Sequence, residues 1–184
     1  MRKIAVSIVL ILVFVLCFAG CSGKKEEIIS KEEKTYEDPV TLEQVNTDGR
    51  YVARAFLESI FSDNKDLFEK CYPAGFIDRV NQAAGGDIYE QYRSVANISG
   101  EISGTAYVDS RDVKAENGMD EAPLRSRICM TSGFEYSEVG LIQIQKIRGF
   151  FANDLESIES DFYIVVYEAD GNWYMLETYK GAEF

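Results

Sequence analysis

Few side chains in this sequence have the type and spacing that covalent chemistry needs, and Cys21 is the clearest. A thiolate is the strongest nucleophile among the common side chains, and two small residues, Ala19 and Gly20, stand just before it. Of the other cysteines, Cys17 leaves with the leader, while Cys71 and Cys129 remain. Export permits a disulfide between those two. Two buried thiols acting as small apolar residues is the favoured reading, because a domain of this size needs no bridge. There is no histidine, which removes the commonest general base and the commonest zinc ligand at once. No metal and no cofactor are expected. Ser22-Gly23-Lys24-Lys25 has the S-x-x-K spacing of serine acyl-enzymes, but it has no K-T-G partner and reads as coincidence.

The residues around Cys21 say how it is presented. Arg2 and Lys3 are a positive start, and Ile4–Ala19 is an apolar run broken only by Ser7. That order is a secretory signal peptide, residues 1–20. As a helix the run spans about 24 Å at 1.5 Å per residue, short of the roughly 30 Å hydrocarbon core. Phe18-Ala19-Gly20-Cys21 resembles the lipobox of bacterial lipoproteins, although Phe18 stands where that family prefers Leu. The resemblance implies cleavage between Gly20 and Cys21 and a diacylated Cys21 as the first mature residue; small residues let the peptidase reach the backbone, the thiolate takes the lipid, and two chains anchor stably where one is marginal. It also implies a cell-membrane location on the extracytoplasmic face. The competing reading is an ordinary cleaved signal with a chance cysteine; the tether that follows favours the lipoprotein.

Residues 21–46 are rich in Lys and Glu, with Pro39 near the end and little apolar periodicity. They read as a solvated tether that lifts a domain roughly 25–30 Å off the membrane. The remainder, 47–184, is one domain. With 46% apolar residues and 12% aromatics it has material for a core. The formal charge is −12, and more negative still once Arg2 and Lys3 leave. That balance argues against nucleic acid, which needs clustered Lys and Arg.

Within the domain the first half is helical. Thr47 or Asp48 caps a helix whose Val52, Ala55, Phe56, Ile60 and Phe61 share a face. Asp63 is expected to cap a second helix carrying Leu67, Phe68 and Cys71. Pro73 is expected in the first turn of a third, with Phe76, Ile77 and Val80 inward. Gly85-Gly86 stops it, and Asp87 starts a fourth through about Val95.

The second half is a sheet. Over 97–109, Ile98, Gly100, Ile102, Gly104, Ala106 and Val108 alternate with polar residues and Tyr107, which predicts a strand with the first set buried. Residues 117–132 suit a helix, through Pro123, Leu124, Ile128, Cys129 and a Gly133 stop, or a loop and strand. Residues 137–151 form a strand whose apolar face switches near Leu141-Ile142, so a bulge is expected there. Residues 158–168 are a strand with Phe162, Ile164 and Val166 opposite Tyr163, Val165 and Tyr167. Asp170-Gly171 is a type I′ hairpin pair leading to a last strand, 172–179. The helices are expected to cover this sheet on one side.

Ala55-Phe56-Leu57 through Leu67-Phe68, together with Asp170-Gly171-Asn172-Trp173-Tyr174, resemble the NTF2-like (cystatin-like) α+β cone, in particular the small lipoproteins of Gram-positive type that carry it. The resemblance implies N-terminal helices packed on a bent antiparallel sheet, but no activity. Three classes of function stay open. One is a module binding a small molecule or an envelope protein, with Tyr107, Tyr163, Tyr167 and Trp173 lining a pocket. Those aromatics as plain core is the stronger reading, in which truncating Trp173 would cost several kcal/mol. Another is an enzyme of the ketosteroid-isomerase kind, with Asp109 or Asp161 as base beside a tyrosine. The last is a structural envelope protein. Asn97-Ile98-Ser99 is a formal glycosylation sequon expected to be idle.

Overall fold

The computed structural model describes residues 36–96, 101–113, 120–152 and 157–179. The expected leader, Cys21, the expected tether up to residue 35 and the sequon lie outside the described residues. A 3-10 turn, Val45–Thr47, leads to four helices: α1 (Gly49–Phe61), α2 (Lys65–Lys70), α3 (Phe76–Ala84) and α4 (Ile88–Ala96). Strand β1 (Glu101–Asp112) follows, then α5 (Glu121–Ser132), β2 (Val139–Ala152), β3 (Ser157–Ala169) and β4 (Asn172–Tyr179). The sheet is antiparallel throughout, in the order β1-β2-β3-β4. The α+β class expected from the sequence is therefore present. Among the described residues no helix is long and apolar enough to cross a membrane.

Helix α1 is the axis of the fold. The Asp48 carboxylate accepts the Arg50 N–H at 2.9 Å and starts it. From Val52 to Ile60 every residue is buried, including Arg54, Glu58 and Ser59. One side of α1 lies on the sheet; the others meet α2, α4 and the incoming chain. Phe56, Phe68, Tyr72, Tyr89 and Tyr92 fill the space between helices. Ile147, Ile164, Val166 and Met175 meet them from the sheet.

Two helix starts differ from expectation. Asp63 does not cap α2; it sits at φ 57, and Asn64 accepts the Leu67 N–H at 3.0 Å instead. The left-handed turn at 63 moves the capping position one residue on. Asp63 is left to hold the Tyr89 hydroxyl at 3.1 Å and Arg93 at 2.8 Å. Pro73 lies before α3 rather than in its first turn, because Gly75 at φ 70 interposes a turn closed by Phe76 N–H to the Pro73 carbonyl. Of its expected inward residues, Ile77 is buried and Phe76 and Val80 are only half-buried.

Of residues 117–132, the described part, 120–132, is the helix: Asp120 caps α5, and Gly133 at φ 85 ends it, while 117–119 lie outside the described residues. Its Leu124 and Ile128 pack on Val113, Ile142, Ile144, Val165 and Tyr167. Helices therefore cover the sheet on both faces, not on one. The β3 alternation is as predicted, with Phe162, Ile164 and Val166 toward α1 and Tyr163, Val165 and Tyr167 toward α5. The β2 register shift falls between Val139 and Ile142, where the face switch was expected. Asp170 and Gly171 both have positive φ, as a type I′ turn requires.

β1 corrects the alternation read from the sequence. Thr105 is fully buried and Tyr107 packs on the helical core, while Val108 is 40% exposed. Register shifts at Ile102/Gly104 and Tyr107/Asp109 accompany the change. The polar row turns inward because Arg54 and Glu58 on α1 need the Thr105 hydroxyl (3.0 Å from Arg54 Nε).

The tether does not run free to residue 46. Val40 and Val45 belong to the core, and the Glu37 N–H bonds the Thr105 carbonyl at 3.0 Å. Glu37 Oε1 accepts the Tyr107 N–H at 2.8 Å, so this segment occupies the open edge of β1. At the other edge, the Met175 N–H donates to the Cys71 carbonyl (2.8 Å) and Asn46 Nδ2 to the Trp173 carbonyl (2.7 Å). Part of each sheet edge is thereby denied to strand pairing with another chain.

Candidate functional site

The start of α1 lies over the sheet, and beside it is an open cleft of about 310 Å³. Asp48 and Arg50 line it from the helix, Tyr107 and Ser110 from β1, Gln143 and Gln145 from β2, and Trp173 from β4. Gly49 makes the close approach possible. A Cβ there would lie 2.9 Å from Gln145 Nε2 and Val166 Cγ2, and 3.0 Å from Trp173 Cε3.

The floor is a directed relay. Gln143 Nε2 donates to the Asp112 carboxylate at 2.9 Å, and Gln145 Nε2 donates to Gln143 Oε1 at 3.0 Å. An ionised carboxylate only accepts, so Gln143 must turn its NH₂ to Asp112 and its oxygen to Gln145. Gln145, 2% exposed, is left with Oε1 buried and without a partner. Such an orphaned buried acceptor costs on the order of 1–3 kcal/mol. Around it, the Tyr107 hydroxyl donates to Ser110 Oγ at 3.2 Å. Asp48 pairs with Arg50 at 3.6 Å, and the Arg50 guanidinium rests 4.8 Å from the Tyr51 ring centroid.

The four aromatics expected in one pocket are divided between two faces. Tyr107 and Trp173 line the cleft. Tyr163 and Tyr167 lie under α5, with the Tyr167 hydroxyl 2.7 Å from Ser132 Oγ and Tyr163 beside Lys146. The reason is period two: both tyrosines share the β3 parity opposite to Ile164 and Val166. Trp173 is half-buried at the cleft wall rather than enclosed in the core.

Neither carboxylate proposed as a base reaches the cleft. Asp109 is exposed and accepts the neighbouring Ser110 N–H. Asp161 is held by Arg148 and Lys146 at 2.8 and 3.0 Å. Cys71 is enclosed on the α1 side and Cys129 lies beside the α5 core; both are free thiols. Among the described residues no three acidic or cysteine side chains converge as metal ligands.

Gln143, Gln145, Arg50 and Ser110 were missed in the sequence reading. The available signal was Gln143-Ile144-Gln145: two amides on the strand face that otherwise carries Leu141, Ile147 and Phe151.

These surroundings predict the pH profile of stability. Burial would raise the Asp161 carboxyl, but hydrogen bonds from Arg148 and Lys146 outweigh it and hold it below its ordinary 3.8. Lys65 lowers Asp87 likewise. Their contribution is present above pH 3.8 and is lost as pH falls through the depressed folded values. Burial pushes the Cys71 thiol and the Tyr72 and Tyr167 phenols up from 9.0 and 10.0. That contribution is lost as pH rises past those ordinary values. With no histidine, the melting temperature should be flat from about pH 5.5 to 8 and fall on both sides. A step near pH 6.5 in a thermal-melt series would contradict this.

No protein-family model, curated protein or solved structure matches the chain significantly.

Proposed function

We propose that this chain is an extracytoplasmic lipoprotein, held to the cell membrane through Cys21, whose NTF2-like domain is a binding module. The observation that carries the binding role is the cleft lined by Gln145, whose buried side-chain oxygen has no partner. A domain that only scaffolds an envelope has no use for that cost, and a polar ligand removes it. The NTF2-like assignment is supported by four helices preceding an antiparallel sheet that closes on a strand-Asp170-Gly171-strand hairpin. Helix α5 on the far face is an addition to that plan. The lipoprotein assignment is supported by Phe18-Ala19-Gly20-Cys21 after an apolar leader. An isomerase-type reaction is not favoured, because Asp48, the carboxylate lining the cleft, caps α1 and pairs with Arg50.

Cys21→Ser tests the anchor. Expressed in a bacterial host fed radiolabelled palmitate, the native chain should take up label and fractionate with membranes. The Ser variant should take up none and stay uncleaved or leave the membrane. Label entering the variant, or a native mature chain beginning elsewhere than Cys21, overturns the assignment.

A further inference from the structure

We infer that the cleft takes a neutral polyhydroxylated ring, a sugar, that donates a hydroxyl to Gln145 Oε1. The inference rests on the binding role proposed above and adds the chemical class of the ligand.

The relay decides the polarity of the ligand. Because Asp112 orients Gln143 and Gln143 orients Gln145, the one atom left unmatched on the floor is an acceptor. The occupant must bring a donor, which excludes a fully ionised phosphate or carboxylate as the group at this point. The charges at the rim argue against a cation as well. Of the residues lining the cleft, Asp48 and Arg50 carry charge and pair at 3.6 Å, so the rim itself has no net charge. What remains is a neutral donor. The hydroxyls of Tyr107 and Ser110 both donate and accept, as sugar hydroxyls do. Trp173 supplies the apolar ring face on which the C–H side of a sugar packs. About 310 Å³ lies at the lower end of the range for ligand sites, roughly 300–1,000 Å³, which suits a single ring.

Gln145 Oε1 is sealed from solvent in the free domain. The Trp173 ring lies beside the Gln145 amide where both meet Gly49. The side chains over that oxygen must shift for the hydroxyl to reach it, and Trp173, which lines the same cleft and is the single tryptophan of the chain, reports the occupancy.

The test titrates the full chain in detergent micelles with glucose, galactose and N-acetylglucosamine, following tryptophan fluorescence and heat. Glycine, a primary amine and inorganic phosphate are the charged probes. A saturable response to at least one sugar and none to the charged probes is expected. Gln145→Met nearly keeps the volume and removes the acceptor, together with the Nε2 donor to Gln143 Oε1; it should still fold and bind roughly tenfold more weakly. Asp112→Asn lets the relay reverse and should give a smaller loss. A trimer of N-acetylglucosamine binding more tightly than the monomer identifies a glycan chain as the source, and equal affinity identifies a free sugar. A charged probe binding instead, or a sugar binding Gln145→Met as well as the native chain, overturns the sugar and leaves the binding module standing. No response to any probe overturns both.

Discussion

Replacing Arg54 with alanine is expected to cost about 3–5 kcal/mol, the range for breaking a buried ion pair from one side. For a domain of this size that lowers the melting temperature by roughly 10–20 °C. The guanidinium is 2% exposed and all three nitrogens are used. Nε donates to Thr105 Oγ1, one terminal nitrogen to Glu37 Oε2 at 2.7 Å, and the other to the Asp38 carbonyl at 2.6 Å and Glu58 Oε1 at 3.3 Å. Alanine leaves the Glu58 carboxylate buried without its counter-charge, still holding the Val40 N–H at 2.8 Å. The same group ties residues 37–40 to the edge of β1. Hydrogen exchange should therefore accelerate at the Val40 and Tyr107 amides ahead of global unfolding. The double variant Arg54→Met with Glu58→Leu should recover part of the loss, since it removes both charges together. An Arg54→Ala domain within 1 kcal/mol of native would show that the network is not a fastening.

Phe68→Ala should cost about as much, 3–5 kcal/mol, for a different reason. The ring is fully buried, with Phe56, Tyr72, Tyr89 and Tyr92 centroids at 5.9, 5.2, 5.1 and 5.7 Å. It belongs to a six-residue helix, far too short to hold itself in water. Tertiary contacts through Leu67 and Phe68 keep α2 folded, so the truncation both opens a cavity and loosens its carrier. Trp173→Ala should cost clearly less, because the indole is half-buried at the cleft wall. Urea unfolding of the two variants decides the matter, and the reverse order would mean that Trp173 is a core residue after all.

Much of the architecture was legible in the chain because the signals are local. The Asp48 cap, the Gly85 and Gly133 stops and the Asp170-Gly171 turn each depend on a few residues of backbone geometry. The Phe162/Tyr163 alternation needs only the period of a strand. The errors came where a distant partner outweighed that pattern. Thr105 faces inward because a buried arginine and glutamate fifty residues earlier require a hydroxyl. Arg54 and Glu58 were themselves a signal, two opposite charges four apart inside an apolar run, but nothing local said they would be buried rather than exposed.

The candidate site was less legible still. Tyr107 and Trp173 meet in the cleft, but 66 residues separate them, and only the order of the four strands brings them to one face. Tyr163 and Tyr167 have the same composition signal and end up under α5. The orphaned oxygen of Gln145 depends on Asp112 orienting Gln143 across two strands, a relation no run of letters displays.

By itself, then, the sequence determined the class α+β, the helix stops and the hairpin, since backbone propensity and hydrophobic period act within a turn or two. It also supplied the expectation of a lipid at Cys21. Tertiary structure decided which side chains face each other across the sheet. It put Val40 and Val45 into the core and left one amide oxygen without a partner. Burial and hydrogen-bond satisfaction are properties of surroundings, and the surroundings of Gln145 come from five separate parts of the chain.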